Sequence, residues 1–249
     1  MKAAFASDIG RQRESNEDSV GVFCHGGQLF GVVADGMGGH AAGEVASRMA
    51  LKLSEASWQA LGSALDREQA VEWLNHLVRA VNVRLYDHAE KHAECYGMGT
   101  TFAAAFCDER FVVITTVGDS RIYTWSAGAG MRQMTEDHTL VNELVKKGEI
   151  TKDDACVHPD KHILMRALGT EPTVALDTLL LDWHDFTHLI ICSDGLSNKL
   201  TNEQMSTTMA LDQSLEQKAT GMVQAANNAG GEDNISLVII SHDDGGEME

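Results

Sequence analysis

The sequence predicts an α+β fold with two antiparallel sheets packed together and helices on the outside. β-rich stretches come in blocks, divided by short turn signals such as "HGGQ", which is typical of consecutive antiparallel strands. Stretches with apolar residues at helical spacing form separate blocks between them. Strands and helices segregated in this way favour α+β over a fold of alternating βα units.

Each predicted element rests on a local pattern. Runs of β-branched and alternating apolar residues indicate the strands, and repeats such as Val45, Met49 and Leu53 indicate the helices. In chain order, the predicted elements are strands at about 2–9, 18–24 and 28–35; helices at about 45–53 and 71–85; three strands within 99–125; a short helix at about 140–145; strands at about 174–180 and 187–193; a helix at about 215–226; and a final strand at 234–241.

The domain organisation follows from the length and texture of the chain. Its 249 residues suffice for one large core, and they show no internal repeat, low-complexity segment or linker. We therefore predict a single domain over residues 1–243. The polar stretch "TKDDACVHPDK" predicts an inserted flap at about 137–165, and residues 244–249 are predicted to be an acidic tail.

Charge and cysteine content argue against several classes of function. The net charge of -18 opposes binding to nucleic-acid backbones and to anionic membrane surfaces. No stretch approaches the roughly 20 apolar residues of a membrane span. The five cysteines are an odd number without a CxxC pair, which indicates reduced thiols in a reducing compartment. We expect a soluble, cytoplasmic protein that binds neither nucleic acid nor membranes.

Acidic residues recur at the ends of the predicted strands. In "VVADGMGGHAAGE" an apolar strand ends at Asp35, and three glycines follow within four positions. A buried carboxylate needs a cation, a hydrogen-bond donor or water, and glycine lets a ligand approach the backbone. Taken alone, each such acid is best interpreted as an ordinary turn residue, but their recurrence indicates a common site. The acids at the five strand ends are Glu17 with Asp18, Asp35, Asp119, Asp194 and Asp233.

If these strand ends meet, the carboxylates form a cluster that divalent cations would neutralise, because neighbouring anions raise one another's pKa. Oxygen ligands suit Mg²⁺ or Mn²⁺, and no His or Cys cluster has zinc spacing. Two ions about 3.5–4 Å apart could share one carboxylate, with Asp35 as the natural bridge, and activate a water against a phosphate. Arg13 is placed to bind that phosphate, although a lone arginine is more often part of a surface ion pair.

Eight motifs occur in order along the chain: "RESNED", "ADGMGGHAAGEVAS", "GTTFAAAF", "VGDSRIY", "TEDHTL", "RALGT", "CSDGLS" and "GGEDNISLV". In order and spacing they resemble the PP2C (PPM) family of metal-dependent protein serine/threonine phosphatases, especially its compact bacterial branch. The resemblance covers the chain from Asp8 to Val238. It implies a four-layer α-β-β-α sandwich. It also implies hydrolysis of phosphoserine and phosphothreonine by direct attack of a water that bridges two Mn²⁺ or Mg²⁺ ions.

The resemblance further implies roles for individual residues. Asp35 would bridge the two metals, and Gly36 would contribute its carbonyl to the second. Arg13 would bind the phosphate and Asn234 would orient water or ligand, both as catalytic residues. The remaining metal positions are Asp194 and Asp233 on the first ion, Glu17 and Asp18 through water on the second, and Asp119 with Asp194 on a third, weaker ion.

One position departs from the animal members of the family. Where they have histidine after Asp-Gly, this chain has Met37, which cannot donate a proton. The bacterial branch commonly shows the same substitution, so the expected activity stands. We assign no side chain as general acid and expect water on the third metal or bulk solvent to protonate the leaving alkoxide.

Two other functions remain open at this stage. One is a catalytically silent scaffold that binds phosphoproteins, which loss of metal acids would favour, yet all of them are present. The other is a metal-dependent phosphoesterase for small molecules, which the acidic net charge does not oppose. We expect a monomer. The resemblance implies action on phosphorylated proteins, among them a Hanks-type serine/threonine kinase and its targets.

Overall fold

The computed structural model describes residues 1–39 and 41–242, without the side chain of Cys156. The predicted acidic tail at 244–249 lies outside the described residues. The strands are β1 (Lys2–Asp8), β2 (Asp18–His25), β3 (Gln28–Met37), β4 (Gly99–Thr100), β5 (Phe102–Cys107), β6 (Val112–Val117), β7 (Arg121–Ser126), β8 (Gly130–Gln133), β9 (Asp177–Leu181), β10 (His188–Cys192) and β11 (Ile235–Ser241). The α-helices are α1 (Ala42–Gln59), α2 (Arg67–Lys91), α3 (Leu140–Lys146), α4 (Lys152–Val157), α5 (Asp194–Ser197), α6 (Asn202–Met209) and α7 (Leu215–Asn228).

Two sheets contain these strands. The first has the order β1-β11-β10-β7-β8 and the second the order β2-β3-β5-β6-β9, with β4 paired to the end of β3. Neighbouring strands pair antiparallel throughout both orders. The start of one strand therefore lies beside the end of the next, which brings residues distant in sequence to the same end of a sheet.

Alternation of side chains along the strands generates a four-layer sandwich. In β3, Phe30, Val32 and Ala34 join the core beneath α1 and α2. Leu29 and Val33, which point the other way, join the core between the two sheets. A third core lies between the first sheet and α5, α6 and α7. The predicted α+β sandwich with helices outside both sheets is confirmed.

Local signals explain where the long helices begin. The Asp66 carboxylate accepts a hydrogen bond from the Gln69 N–H, and the Gln69 side chain accepts one from the Asp66 N–H, which caps α2. Ser214 and Gln217 form the same capping box on α7. Five members of the predicted apolar repeat of α2 lie on its buried face, and the sixth, Val71, is partly buried; the five are Leu74, Leu77, Val78, Val81 and Leu85.

The structure differs from the predicted elements in a few places. β9 begins at Asp177, later than the predicted start near residue 174. The sequence pattern does not predict α4 or α6, because such short polar helices carry too few apolar residues to show a period. The segment from 137 to 165 contains α3 and α4, and the single-domain organisation stays a prediction. Among the described residues, no helix is long and apolar enough to cross a membrane.

Candidate metal centre and active site

The acids predicted at strand ends lie at one end of the sandwich. Asp18 at the start of β2 is directly opposite Asp35 at the end of β3, because the two strands are antiparallel. The negative charges of four other aspartates act on Asp35, which shows that the strand ends converge. We use the name acid cluster for Glu17, Asp18, Asp35, Asp119, Asp194 and Asp233.

Asp35 has a backbone held from both sides. Its N–H donates to Thr101 Oγ1 at 3.0 Å, and its carbonyl accepts from Thr100 Oγ1 at 2.9 Å and from the Thr101 N–H at 2.8 Å. Burial, followed by the charges of Asp18 and Asp194, raises the pKa of the Asp35 carboxyl well above its ordinary value. The strand end is therefore rigid, while its carboxylate is electrostatically unfavourable without a cation.

Asp18 is a buried carboxylate with only half of its bonding capacity used. Ser193 Oγ donates to its Oδ2 at 2.8 Å, whereas its Oδ1 is buried without a hydrogen-bond partner. Burial is the largest cause that raises the pKa of Asp18 to about 7, and the charges of Asp194 and Asp233 add to it. A buried carboxylate oxygen without a donor is costly unless something else fills that position.

Asp194 and Asp119 complete the interior of the cluster. Asp194 begins α5, accepts from Asn198 Nδ2 at 3.0 Å through Oδ2, contacts Asp35, and has a buried Oδ1 without a partner. Asp119 occupies the turn between β6 and β7, where burial and then the charge of Asp194 raise its pKa to about 7. A cavity of about 670 Å³ opens beside these two acids, between the sheet ends and the 137–165 segment.

Arg13 lies at the rim of the acid cluster. Its Nη2 donates to Asp233 Oδ2 at 2.8 Å, in an ion pair whose side chains are 52% and 37% exposed. Such an exposed ion pair contributes little to the stability of the fold. Its effect is to hold the Arg13 guanidinium over the acids. Asp233 Oδ1 in turn accepts from the Asn234 N–H at 2.9 Å, which fixes the carboxylate at the start of β11.

Gly36 and Glu17 are joined through their backbones. The Gly36 N–H donates to the Glu17 carbonyl at 3.1 Å, and a Cβ on Gly36 would lie 2.1 Å from the Gly43 carbonyl oxygen. The protein's own backbone therefore takes the space that a side chain would need at Gly36, while approach of a ligand to the Gly36 carbonyl stays a prediction. The Glu17 carboxylate reaches the start of α1, where a Cβ on Gly43 would lie 2.3 Å from its Oε2.

Asn234 has a different role from the expected contact with water or ligand. Its Nδ2 donates to the carbonyls of Ile9 and Ser15, both at 2.9 Å, and its Oδ1 accepts from the Glu17 N–H at 2.7 Å. These bonds use both N–H donors of the amide, and the side chain is buried. Asn234 therefore holds the loop that carries Arg13 and Glu17, which makes it a positioning residue in this structure.

We expect Asn234→Ala to lower the free energy of unfolding by about 1–3 kcal/mol, because it leaves buried backbone groups without partners. The released loop carries Arg13, so KM for a phosphothreonine peptide should rise as well. Thermal melts and initial-rate kinetics measure the two effects. Asn228→Ala is the matched control, since Asn228 Oδ1 accepts an exposed bond from Arg11 of the same loop. An unchanged KM in Asn234→Ala would contradict the positioning role.

The donor set fits hard divalent cations. The cluster offers carboxylate and carbonyl oxygens only, and two of its buried oxygens, on Asp18 and Asp194, lack any protein donor. Within residues 1–39 and 41–242, no three His, Cys, Asp or Glu side chains are drawn together closely enough to enclose an ion by themselves. An ion shared by the three carboxylates of Asp35, Asp194 and Asp233 would therefore require these side chains to move closer together or water to complete its ligands.

Some residues of the site escaped sequence reasoning. Thr100, Thr101 and Ser193 hold the acids through side-chain hydrogen bonds, although no role could be assigned to them from their types alone. Their motifs, "GTTFAAAF" and "CSDGLS", were visible in the chain. The signal that could have found them is adjacency, because a hydroxyl next to a buried acid or strand end is available as its donor.

Comparison with known proteins assigns the family. A family profile described as Protein phosphatase 2C matches residues 9–235. A protein from Listeria monocytogenes named serine/threonine phosphatase stp is 43% identical over 244 residues, which cover 98% of this chain and 96% of that protein. Protein phosphatase PhpP from Streptococcus pneumoniae is 34% identical, with 97% of each chain covered. The crystal structure of the serine/threonine phosphatase Stp1 from Staphylococcus aureus superposes with a TM-score of 0.91 at 33% identity, covering 96% of this chain and 94% of that one. With its acids gathered at one end of the sandwich and matches along nearly its whole length, this chain belongs to the protein phosphatase 2C family.

Proposed function

We propose that this protein is a metal-dependent protein serine/threonine phosphatase that hydrolyses phosphoserine and phosphothreonine. The observation that carries the proposal is the acid cluster, whose buried, unpartnered oxygens on Asp18 and Asp194 call for cations. The relatives from Listeria and Streptococcus are named as phosphatases, which supports the same reaction class. Membership of the protein phosphatase 2C family does not depend on these residue assignments.

We propose that two Mn²⁺ or Mg²⁺ ions bind at the cluster. Asp35, Asp194 and Asp233 would hold the first ion, and Asp35 with the Gly36 carbonyl would hold the second. Glu17 and Asp18 would orient water around the second ion, and Asp119 with Asp194 would bind a third. Bound divalent ions supply an activated water as nucleophile and reduce the negative charge that the phosphate presents.

The chain's own residues bind and orient the substrate. Arg13 lies over the acids, and its planar guanidinium can donate two parallel hydrogen bonds to phosphate oxygens once it exchanges its bond with Asp233. Met37 follows Gly36 where a proton donor would otherwise stand, and its thioether carries no proton to give. We therefore propose that solvent protonates the leaving serine or threonine oxygen.

The two alternative functions are less well supported. A silent scaffold would be expected to have lost part of the acid cluster, yet all six acids are present at one end of the sandwich. The phosphoesterase for small molecules is disfavoured because the relatives from Listeria and Streptococcus are named as a serine/threonine phosphatase and a protein phosphatase.

Partner and compartment are proposed on separate grounds. We propose that a Hanks-type serine/threonine kinase and its targets are substrates, as membership of the bacterial branch of this family implies. Among the described side chains, Cys24, Cys95, Cys107 and Cys192 are free thiols, which suits a reducing compartment such as the cytoplasm. The monomeric state stays a prediction.

The proposed function is tested with three substrates under two metal conditions. We expect release of phosphate from a phosphothreonine peptide with Mn²⁺, and background rates with excess chelator. A sugar phosphate and a phosphate diester should be turned over far more slowly than the peptide. Faster turnover of the sugar phosphate would favour a small-molecule enzyme, and equal peptide rates with Mn²⁺ and with chelator would reject metal dependence.

A further inference from the structure

A buried histidine joins the 137–165 segment to the turn that carries Asp119. His138 is 3% exposed and follows Asp137 in the motif "TEDHTL". The Gly118 N–H donates to its Nδ1 at 3.0 Å, and the His138 N–H donates to the Gly118 carbonyl at 2.9 Å. Both backbone groups of Gly118, the residue directly before Asp119, are therefore bonded to this one histidine.

The second ring nitrogen of His138 is also used. Its Nε2 lies 2.7 Å from Asp177 Oδ2 at the start of β9. Because Nδ1 accepts from an amide, it carries no proton, so Nε2 carries the ring proton and donates it to the carboxylate. Arg166 Nη1 lies 3.5 Å from the other oxygen of Asp177. The imidazole is thus held in one tautomer and one orientation.

His138 also anchors the base of the 137–165 segment. The Met165 N–H donates to the His138 carbonyl at 2.8 Å, and the Leu140 N–H donates to the Ile163 carbonyl at 2.9 Å, which pairs the two ends of the segment. Immediately beyond, Leu168 exchanges backbone hydrogen bonds of 2.9 and 3.0 Å with Thr100, beside the end of β3. The base of the segment is therefore bonded to the residue before Asp119, and the chain just beyond it is bonded to Thr100, which donates to the Asp35 carbonyl.

The turn that carries Asp119 has little freedom to adjust if the contact with His138 is lost. Gly118 has a φ of +101°, and a Cβ there would lie 2.7 Å from Thr101 Cγ2. Thr101 Oγ1 is 2.7 Å from Ser120 Oγ and accepts from the Asp35 N–H. The backbone on both sides of Asp119 is thus packed against the residue that fixes Asp35, and a shift at Gly118 would move Asp119 relative to the other acids.

We propose that His138 is a positioning residue: its bond to the Gly118 N–H sets the position of Asp119 in the acid cluster and ties that position to the 137–165 segment. The proposal rests on the proposed function, since Asp119 matters only as a metal ligand. A positioning role for His138 can be distinguished from a purely structural role. A histidine needed only for stability would depend equally on its two ring contacts, whereas positioning of Asp119 depends on the Nδ1 contact.

The test separates the two ring contacts by substitution. In His138→Asn the amide oxygen can take the place of Nδ1 and accept from Gly118, while the bond to Asp177 is lost. In His138→Gln the longer side chain reaches Asp177 but not Gly118. Hydrogen exchange of the Gly118 amide reports the contact directly. Mn²⁺ titration and kcat for a phosphothreonine peptide report its consequence.

We expect the Gly118 amide to exchange slowly in wild type and His138→Asn and much faster in His138→Gln. The weakest-binding Mn²⁺ should lose affinity by about 10- to 100-fold in His138→Gln, with a similar loss in kcat, as is usual for residues that orient metal ligands. His138→Asn should stay within about threefold of wild type on both counts. Equal behaviour of the two variants in exchange or in Mn²⁺ affinity would overturn the proposal.

A matched control separates positioning from general loss of stability. Gln28 is as buried as His138 and bonds to Leu65 and Asp108 at the opposite end of the sandwich. Gln28→Ala should lower the melting temperature without changing Gly118 exchange or Mn²⁺ affinity. If Gln28→Ala weakened Mn²⁺ as much as His138→Gln does, the effect would be one of stability. A wild type that neither binds Mn²⁺ nor hydrolyses the peptide would instead reject the proposed function, while Gly118 exchange would still report the histidine contact.

Discussion

Asp35→Asn is expected to abolish hydrolysis of a phosphothreonine peptide while making the metal-free protein more stable to heat. Asparagine keeps the shape of the side chain but removes the charge that two cations would share. A loss of about 4 kcal/mol of transition-state stabilisation corresponds to about a 10³-fold lower rate. Peptide kinetics with Mn²⁺ measure the first effect, and thermal melts with excess chelator measure the second.

The stability effect has a definite sign and pH dependence. Without metal, burial and then the neighbouring carboxylates raise the pKa of Asp35 well above its ordinary value of 3.8. An acid whose pKa rises on folding costs stability above its unfolded pKa, and the cost grows with pH until the folded pKa is reached. Asparagine does not titrate, so the advantage of the variant should be larger near pH 7.5 than near pH 5. Each kcal/mol gained raises the melting temperature by roughly 2–4 °C.

Asp108→Asn is the matched control for this experiment. Asp108 also follows directly on a buried strand, β5, but at the end of the sandwich away from the acid cluster, where it accepts from Gln28 and Arg110. Partial burial acts to raise the pKa of Asp108, but the hydrogen bonds from these donors lower it below its ordinary value. Asp108→Asn should therefore keep full activity and lose stability, the reverse of Asp35→Asn on both counts. An active Asp35→Asn, or a chelated variant that melts below wild type, would contradict the assignment.

The layers of the fold could be predicted because they depend on short-range patterns. The period of two in β3 separates Phe30 and Val32 from Leu29 and Val33, and these sets enter different cores. The period of the long helices similarly marks the face of α2 that is buried. These two inferences need only neighbours along the chain. Convergence of the acids was conditional in the sequence, because antiparallel order brings strand ends together only within a sheet, and packing of the two sheets joins Asp18 and Asp35 to Asp194 and Asp233.

The residues that hold the acids could not be predicted from patterns, because their partners are distant in sequence. Ser193 donates to Asp18 and Asn234 bonds to Ile9 and Glu17, and nothing in the local sequence indicates either contact. His138 belongs to the motif "TEDHTL", but the motif alone assigns it no role. Its contacts are with Gly118 and with Asp177, and Asp177 begins a strand that starts later than predicted. Side-chain contacts of this kind depend on the completed fold.

Gly36→Ala is expected to destabilise the protein strongly and to weaken Mn²⁺ binding. The new Cβ would lie 2.1 Å from the Gly43 carbonyl oxygen and 2.7 Å from the Glu17 carbonyl oxygen. Both contacts are with backbone, which cannot move aside as a flexible side chain can. Overpacking of this kind costs about 3 kcal/mol, equivalent to a melting temperature lower by roughly 6–12 °C. Differential scanning calorimetry and Mn²⁺ titration measure the two effects.

Gly39→Ala is the matched control for Gly36→Ala. Gly39 belongs to the same glycine-rich stretch, but a Cβ there meets no atom of the residues that the structure describes within 4 Å. If the glycines served only to let a ligand approach, Gly36→Ala would weaken Mn²⁺ binding without lowering the melting temperature of the chelated protein. Close packing of backbone against backbone instead requires that Gly36→Ala melt lower with and without metal, while Gly39→Ala matches wild type. Because the Gly36 carbonyl and the Glu17 carboxylate flank this contact, the same overpacking that lowers stability should displace two of the proposed metal-binding groups together.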